Sequence, residues 1–281
     1  MVLGLSSFAF GWSVGVPGSM PPKPMNEMDL LQTSLHFGMN CLQIGDNLPL
    51  HLLSSERLAN LKSAIIQNNI RLEVGARKLT QEHLDQYIRI ASDFNSPLLR
   101  FVIDGNQYEP ALKSVAAIIK EALPILKQHK VILGIENHDR FKATELADLM
   151  ESIGSDQVGI CLDCVNSMGA GEGLEWVAST LAPYTVNLHI KDFIIQRLPH
   201  QMGFTISGTP LGKGMINLPW LLEKLSQYKR CNSAVLEQWV MPEATIEETI
   251  KKEELWAEES VAYLRRVVNS RKDRKSESPK A

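Results

Sequence analysis

Eight short apolar runs recur along the chain, and each is followed by a longer stretch with the 3.6-residue spacing of an amphipathic helix. The runs are Leu3–Ala9, Asn40–Ile44, Ile70–Gly75, Pro97–Ile103, Val131–Glu136, Val158–Asp163, Thr185–Lys191 and Ala234–Trp239. The helical patterns lie near Asn26–Phe37, Ser54–Asn68, Thr80–Phe94, Glu109–Gln128, Thr144–Ser152, Glu172–Leu181, Leu218–Tyr228 and Thr245–Val268. Strands that alternate with helices must pair in parallel, because each return crossing is a helix. Eight such units close naturally on themselves, so the expected fold is α/β, a (β/α)₈ barrel of the TIM type. The competing open sheet wants a glycine-rich phosphate turn after its first strand, and Gly11-Trp12-Ser13-Val14-Gly15 is not one.

A length of 281 residues suits one such barrel over residues 1–268. From Asn269 the sequence is charged and non-periodic, and a disordered tail is expected over 269–281. Thr80 and Thr245 stand where helix N-caps belong. Two connections are long for this fold, Phe10 to Met25 and Phe193 to Asn217. Both leave carboxyl ends of strands, and the second is the candidate lid.

The formal charge of -3 gives no electrostatic reason to bind nucleic acid or an anionic membrane. No run reaches the ~20 apolar residues of a membrane span, and the first residues lack the basic start of a secretion signal. Four scattered cysteines do not make a disulfide framework, so a cytoplasmic protein is expected. Cys161-Leu-Asp-Cys164 has a redox spacing but crosses a strand end, where structure explains it better.

Four successive runs end in a residue that can ligate metal: Glu136, Asp163, His189 and Glu237. In a closed barrel these strands are neighbours, and their last side chains converge on one mouth. One such residue alone would read as a surface charge. Three crowded carboxylates call for a cation between them. Oxygen-rich ligands with one imidazole suit Mn²⁺, Mg²⁺ or Co²⁺ and also accept Zn²⁺. Lys191 alternates with His189 and should face the same mouth, while Arg77 and Arg100 add positive charge at the rim. His138 follows Glu136 by two and should point the same way. Glu73 is either a pocket group or a partner of Arg77. Phe8, Trp12 and Phe204 are aromatic residues near the same end.

Gly-Ile-Glu136-Asn-His, Cys-Leu-Asp163-Cys-Val-Asn-Ser, His189-Ile-Lys-Asp and Leu-Glu237 together resemble the xylose-isomerase-like barrel superfamily of sugar isomerases and epimerases. The resemblance implies one divalent metal at these four positions, proton transfer by Glu136 and Glu237, a small sugar-type substrate and a homodimer. Asn166 stands where the ketose 3-epimerases have His, and Ile190-Lys191-Asp192 follows His189 where they have a Gly-Glu-x-x-Arg pattern. The segments His189–Arg197, Met202-Gly-Phe204, Gly208–Gly214 and Leu236-Glu-Gln-Trp239 are similar to the 3-oxo-isoapionate decarboxylase branch. That branch implies loss of CO₂ from a 3-oxo sugar acid through a metal-stabilised enediolate, giving a ketotetrose such as L-erythrulose. Glu136, Glu237 and Lys191 would be its catalytic residues, with His138, Arg100, Arg77 and Arg197 binding substrate. An isomerase or epimerase using the same metal site is the alternative. A keto-inositol dehydratase or a DNA-repair endonuclease of this barrel type is more remote; the latter would want further His and Asp ligands and a basic face.

Overall fold

A computed structural model of the chain describes residues 1–277. Its barrel strands are β1 (Val2–Ser6), β2 (Cys41–Ile44), β3 (Arg71–Arg77), β4 (Leu98–Val102), β5 (Ile132–Glu136), β6 (Val158–Asp163) and β7 (Thr185–Ile190). A hairpin, β8 (Asp192–Arg197) with β9 (Phe204–Thr209), intervenes before the last barrel strand, β10 (Ser233–Leu236). All barrel pairings are parallel, and the sheet closes in the order β1-β10-β7-β6-β5-β4-β3-β2. The expected eight-stranded barrel is the fold.

The helices are α1 (Gly11–Val14), α2 (Glu27–His36), α3 (Ser55–Gln67), α4 (Gln81–Asp93), α5 (Leu112–His129), α6 (Ala143–Ile153), α7 (Leu174–Leu181), α8 (Leu218–Ser226) and α9 (Ile246–Glu277). In α4 the buried residues Leu84, Tyr87, Ile88 and Ala91 recur at the spacing of one helix face. They pack with strand residues such as Val74, Leu99 and Phe101 in the core between sheet and helices. Each fully buried side chain of this size contributes about 1.5–3 kcal/mol. Thr80 caps α4 by accepting from His83 N at 3.3 Å, and Thr245 accepts from Glu248 N at 3.2 Å.

Three differences from the sequence reading bear on the barrel mouth and the tail. The first strand stops at Ser6 instead of reaching Ala9, because Ser6 Oγ accepts from Phe8 N and starts a 3₁₀ turn over Ser7–Phe10. The long segment after β7 is not an irregular loop. Its first part is the antiparallel hairpin, anchored by Asp192, whose carboxylate accepts from Phe193 N, Gly212 N, Gly214 N and Ile216 N at 2.9–3.1 Å. Gly208 lets the hairpin base lie on Trp239, since a Cβ there would collide with the Trp239 carbonyl. The tail expected at 269–281 is helical as far as Glu277, as α9 runs on, and its remainder lies outside the described residues. Among the described residues no helix is long and apolar enough to cross a membrane.

Candidate metal centre at the barrel mouth

Strand alternation brings the mouth cluster together. Asp163 pairs in register with His189, and Val235 pairs with His189 from the other side, so Glu237, two residues after Val235, follows on the same face. Glu136 comes from β5, next to β6. Glu136, Asp163, His189 and Glu237 are all buried, at 3% exposed or less.

His189 is the centre. Its Nδ1 lies 3.1 Å from Glu237 Oε1, 3.4 Å from Glu136 Oε2 and 3.9 Å from Asp163 Oδ2. Among the described residues neither ring nitrogen makes a hydrogen bond. A buried imidazole without partners is costly, and three carboxylates around one nitrogen repel each other. The atoms of Asp163, His189 and Glu237 that can ligate a cation fall within 4.8 Å of one another. Oxygen donors with one imidazole fit a divalent cation of the hard or borderline kind. Cys161 forms a second such group with Glu136 and His189. Its thiol donates to Asn187 Oδ1 at 2.9 Å, and burial together with Glu136 pushes its pKa well up. Cys161 and Cys164 are both free thiols.

Each carboxylate has its own set of donors. Ser6 Oγ donates to Glu237 Oε1 at 2.9 Å. Asp163 Oδ1 accepts from Val165 N and Asn166 N at 2.7 and 2.8 Å. Its Oδ2 has the Lys191 ammonium at 2.7 Å, off the direction of a good hydrogen bond. Lys191 Nζ also lies 3.2 Å from Glu237 Oε2. Glu136 Oε1 accepts from Asn166 Nδ2 at 2.8 Å, and Glu136 Oε2 accepts from Arg100 Nε. Asn137 clips the floor by accepting from Asp163 N at 2.7 Å and donating to the Asp163 carbonyl at 3.0 Å.

The charges act on each other accordingly. Burial raises the Asp163 pKa, Lys191 opposes, and repulsion from Glu136 and Glu237 adds to the rise. At Glu237, burial is outweighed by His189, Lys191 and Arg100, which hold the carboxyl at about 2. Burial disfavours the charge on Lys191, but Asp163, Glu237 and Glu136 outweigh it and raise its pKa, so it stays an ammonium.

The other expected contacts divide. Arg100 points inward and is buried, bridging Glu136 and Asp46. Arg77 also binds Asp46, with Nε 2.9 Å from Oδ2. His138 pairs with Asp139 at 2.5 Å. It lines a cleft of about 440 Å³ with Asn166, Lys191, Ile206, Gln238 and Trp239. Arg197 is not brought to the cluster: it lies out on the exposed hairpin, over the Phe204 ring at 4.4 Å, and donates to the Gln201 carbonyl. It is the last residue of β8, paired with Phe204 at the far end of the hairpin. Glu73 pairs with Arg71, not Arg77, in a polar layer inside the barrel with Gln43 and Asn187. Trp12 donates to the Val240 carbonyl, and the Phe8 ring lies 5.5 Å from the Arg100 guanidinium carbon.

Sequence reasoning missed Asp46, Ser6 and the contact of Asn166 with Glu136. Asp46 had a readable signal, an acid directly after the apolar run Cys41-Leu-Gln-Ile-Gly. Ser6 had none, because it sits inside a run expected to continue.

Residues 38–267 match the family model described as xylose isomerase-like TIM barrel. A curated relative, 3-oxo-isoapionate decarboxylase of Pectobacterium atrosepticum, is 31% identical over 264 residues, covering 94% of this chain and 95% of that protein. Among solved structures, D-psicose 3-epimerase with D-tagatose from Clostridium cellulolyticum H10 superposes with a TM-score of 0.71 at 15% identity, covering 96% and 99% of the two chains. The IolI protein, crystallised with a zinc atom, superposes with a TM-score of 0.66 at 17% identity, covering 94% and 99%. At these identities the two superpositions speak for the fold alone.

Proposed function

The chain belongs to the xylose isomerase-like TIM barrel family, and from that premise we propose that it is a carboxy-lyase that decarboxylates a 3-oxo sugar acid of the 3-oxo-isoapionate type. Glu136, Asp163, His189 and Glu237 would hold one divalent cation, Mn²⁺, Mg²⁺, Co²⁺ or Zn²⁺. When bound, that cation supplies Lewis-acid stabilisation of negative charge developing on the 3-oxo oxygen.

The observation that carries the reading is Lys191, an ammonium that lines the cleft while touching two members of the carboxylate cluster. It supplies a cation for the carboxylate of a sugar acid beside the oxygens of the cluster. In the reaction the bond between C2 and the carboxylate breaks, its electron pair forms the C2=C3 double bond of an enediolate as the 3-oxo oxygen takes the negative charge, and CO₂ leaves. A proton must then return to C2. Both Glu136 oxygens already accept hydrogen bonds, from Asn166 and Arg100, so Glu136 serves as a fixed anion. Lys191 carries protons and, having held the carboxylate, faces the carbon that lost it. His138 and Asn166 offer polar contacts for substrate hydroxyls, and Ile206 and Trp239 an apolar wall. Arg77 and Arg100 then act through Asp46 and Glu136.

The test is incubation of Mn²⁺-loaded protein with 3-oxo-isoapionate, following CO₂ and ketotetrose. Release that is lost in Glu237→Gln and on chelation is the expected result. No CO₂ from protein that still binds Mn²⁺ overturns the decarboxylase reading; interconversion of ketoses by the same protein would put an epimerase in its place.

A further inference from the structure

Asp46 lies outside the cluster yet commands two guanidinium groups, one on each carboxylate oxygen: Oδ1 accepts from Arg100 NH1 and Oδ2 from Arg77 Nε. Arg100 is buried, and its other edge binds Glu136 Oε2, the oxygen that faces His189. A line of alternating charge thus runs from Arg77 through Asp46 and Arg100 to Glu136, across β2, β3, β4 and β5. Burial opposes charge on Asp46, but Arg100 and Arg77 outweigh it and lower its pKa, so the acid is ionised.

Two glycines let the turn after β2 close against β3 beside Arg100. Gly75 is the in-register neighbour of Arg100 on β3. A Cβ at Gly75 would stand 2.9 Å from Gly45 Cα and 3.5 Å from Arg100 Cδ. A Cβ at Gly45 would stand 2.7 Å from the Phe8 ring, the ring that lies under the guanidinium. Neither glycine has the positive φ that would demand one for backbone reasons. Space explains them: β3 and the turn after β2 meet backbone to backbone, and the Phe8 ring seats beneath the guanidinium, while a Cβ at Gly75 would only touch Arg100 Cδ.

An arginine held at one end only would swing, and its pull on Glu136 would vary. Held at both ends, it fixes the Glu136 carboxylate in one orientation and shares its charge with Asp46, so that Glu136 is not fully neutralised. We propose that Asp46 is a positioning residue, which acts through Arg100 to keep Glu136 aimed at, and available to, a divalent cation beside His189. The inference rests on the reading of Glu136 as a metal ligand and adds a residue from outside the four.

The experiment is a double-mutant cycle on Asp46→Asn and Arg100→Met, read as Mn²⁺ affinity by competition with a fluorescent chelator. Asp46→Asn leaves Arg100 wholly to Glu136, and Mn²⁺ affinity should fall on the order of tenfold. In the Arg100→Met background the same change should alter affinity by no more than about twofold. Asp46→Glu should recover most of the loss, and the melting temperature of each variant reports whether it folds. Equal losses in both backgrounds, or unchanged affinity in folded Asp46→Asn, overturn the proposal. If Asp46→Asn does not fold, Asp46→Ser takes its place in the cycle, with the same outcomes for and against. A parent chain that binds no Mn²⁺ refutes the metal reading instead. The Arg100 Nε–H resonance in ¹⁵N NMR then decides whether Asp46 holds the guanidinium: a shift in Asp46→Asn upholds that hold, and an unmoved resonance overturns it.

Discussion

Lys191 Nζ stands 2.7 Å from Asp163 Oδ2, within the group of atoms that would ligate a cation. The ammonium and a divalent ion therefore draw on the same carboxylates, Asp163 and Glu237. This competition sets the first expectation.

Lys191→Met should abolish CO₂ release and tighten Mn²⁺ binding on the order of tenfold, because removing a neighbouring cation frees two anions. In chelator the variant should melt below the parent, since a buried ion pair has lost one member. Added Mn²⁺ should raise its melting temperature by more than it raises the parent's. Weaker Mn²⁺ binding in the variant would contradict the shared-carboxylate account.

Chelation of the parent chain should lower its melting temperature, with recovery on adding Mn²⁺, Mg²⁺ or Co²⁺. At a free ion concentration a hundred times the dissociation constant, the stabilisation should be about 2.7 kcal/mol. A melting curve indifferent to both treatments would speak against a resident metal.

Asn166→Ala removes the donor to Glu136 Oε1, a hydrogen bond at 2.8 Å to a carboxylate. Bonds to charged groups contribute about 1.5–3 kcal/mol. A drop in kcat of on the order of tenfold or more is expected, with the melting temperature lowered by only a few degrees. A change confined to KM would assign Asn166 to substrate binding alone.

Asp192→Ala strips four backbone N–H groups of their acceptor at the base of the hairpin. Unsatisfied buried donors cost about 1–3 kcal/mol each. Hydrogen exchange should therefore speed up over 192–216 before it does so in β5 or β6. Uniform destabilisation would show that the hairpin and barrel open together.

Glu253 on α9 accepts from Trp12 N, Ser13 N and Ser13 Oγ, which ties α1 to the last helix. Burial raises its pKa from the ordinary 4.5 to about 7, against the pull of those donors. A carboxyl with a raised folded pKa keeps its proton longer folded than unfolded, so its contribution to stability falls as pH rises from about 4.5 to about 7 and is level beyond. Denaturant midpoints measured across that window should decline less in Glu253→Gln than in the parent.

The barrel was legible because strand and helix periods alternate eight times, and the four candidate ligands because each closes an apolar run. Legibility failed where a side chain crosses strands. Arg100 has no sequence mark of its inward aim, which shows only once Glu136 and Asp46 stand at the two ends of its guanidinium. Asp46 matters only through that contact. The hairpin escaped because its strands, with Gln196, Arg197 and Thr205, lack the apolar content of barrel strands. Arg197 was misplaced for the same reason.

A closed ring of strands offers no free edge, whereas each strand of the β8–β9 pair is bonded on one side only. Its open backbone carries Ile195, Phe204 and Ile206, each more than two-fifths exposed. Exposed edges of this kind are where foreign strands add. Self-association on heating or concentration should therefore begin at the mouth, beside the cleft, and a charged residue in place of Ile195 is the change that should keep the chain dispersed.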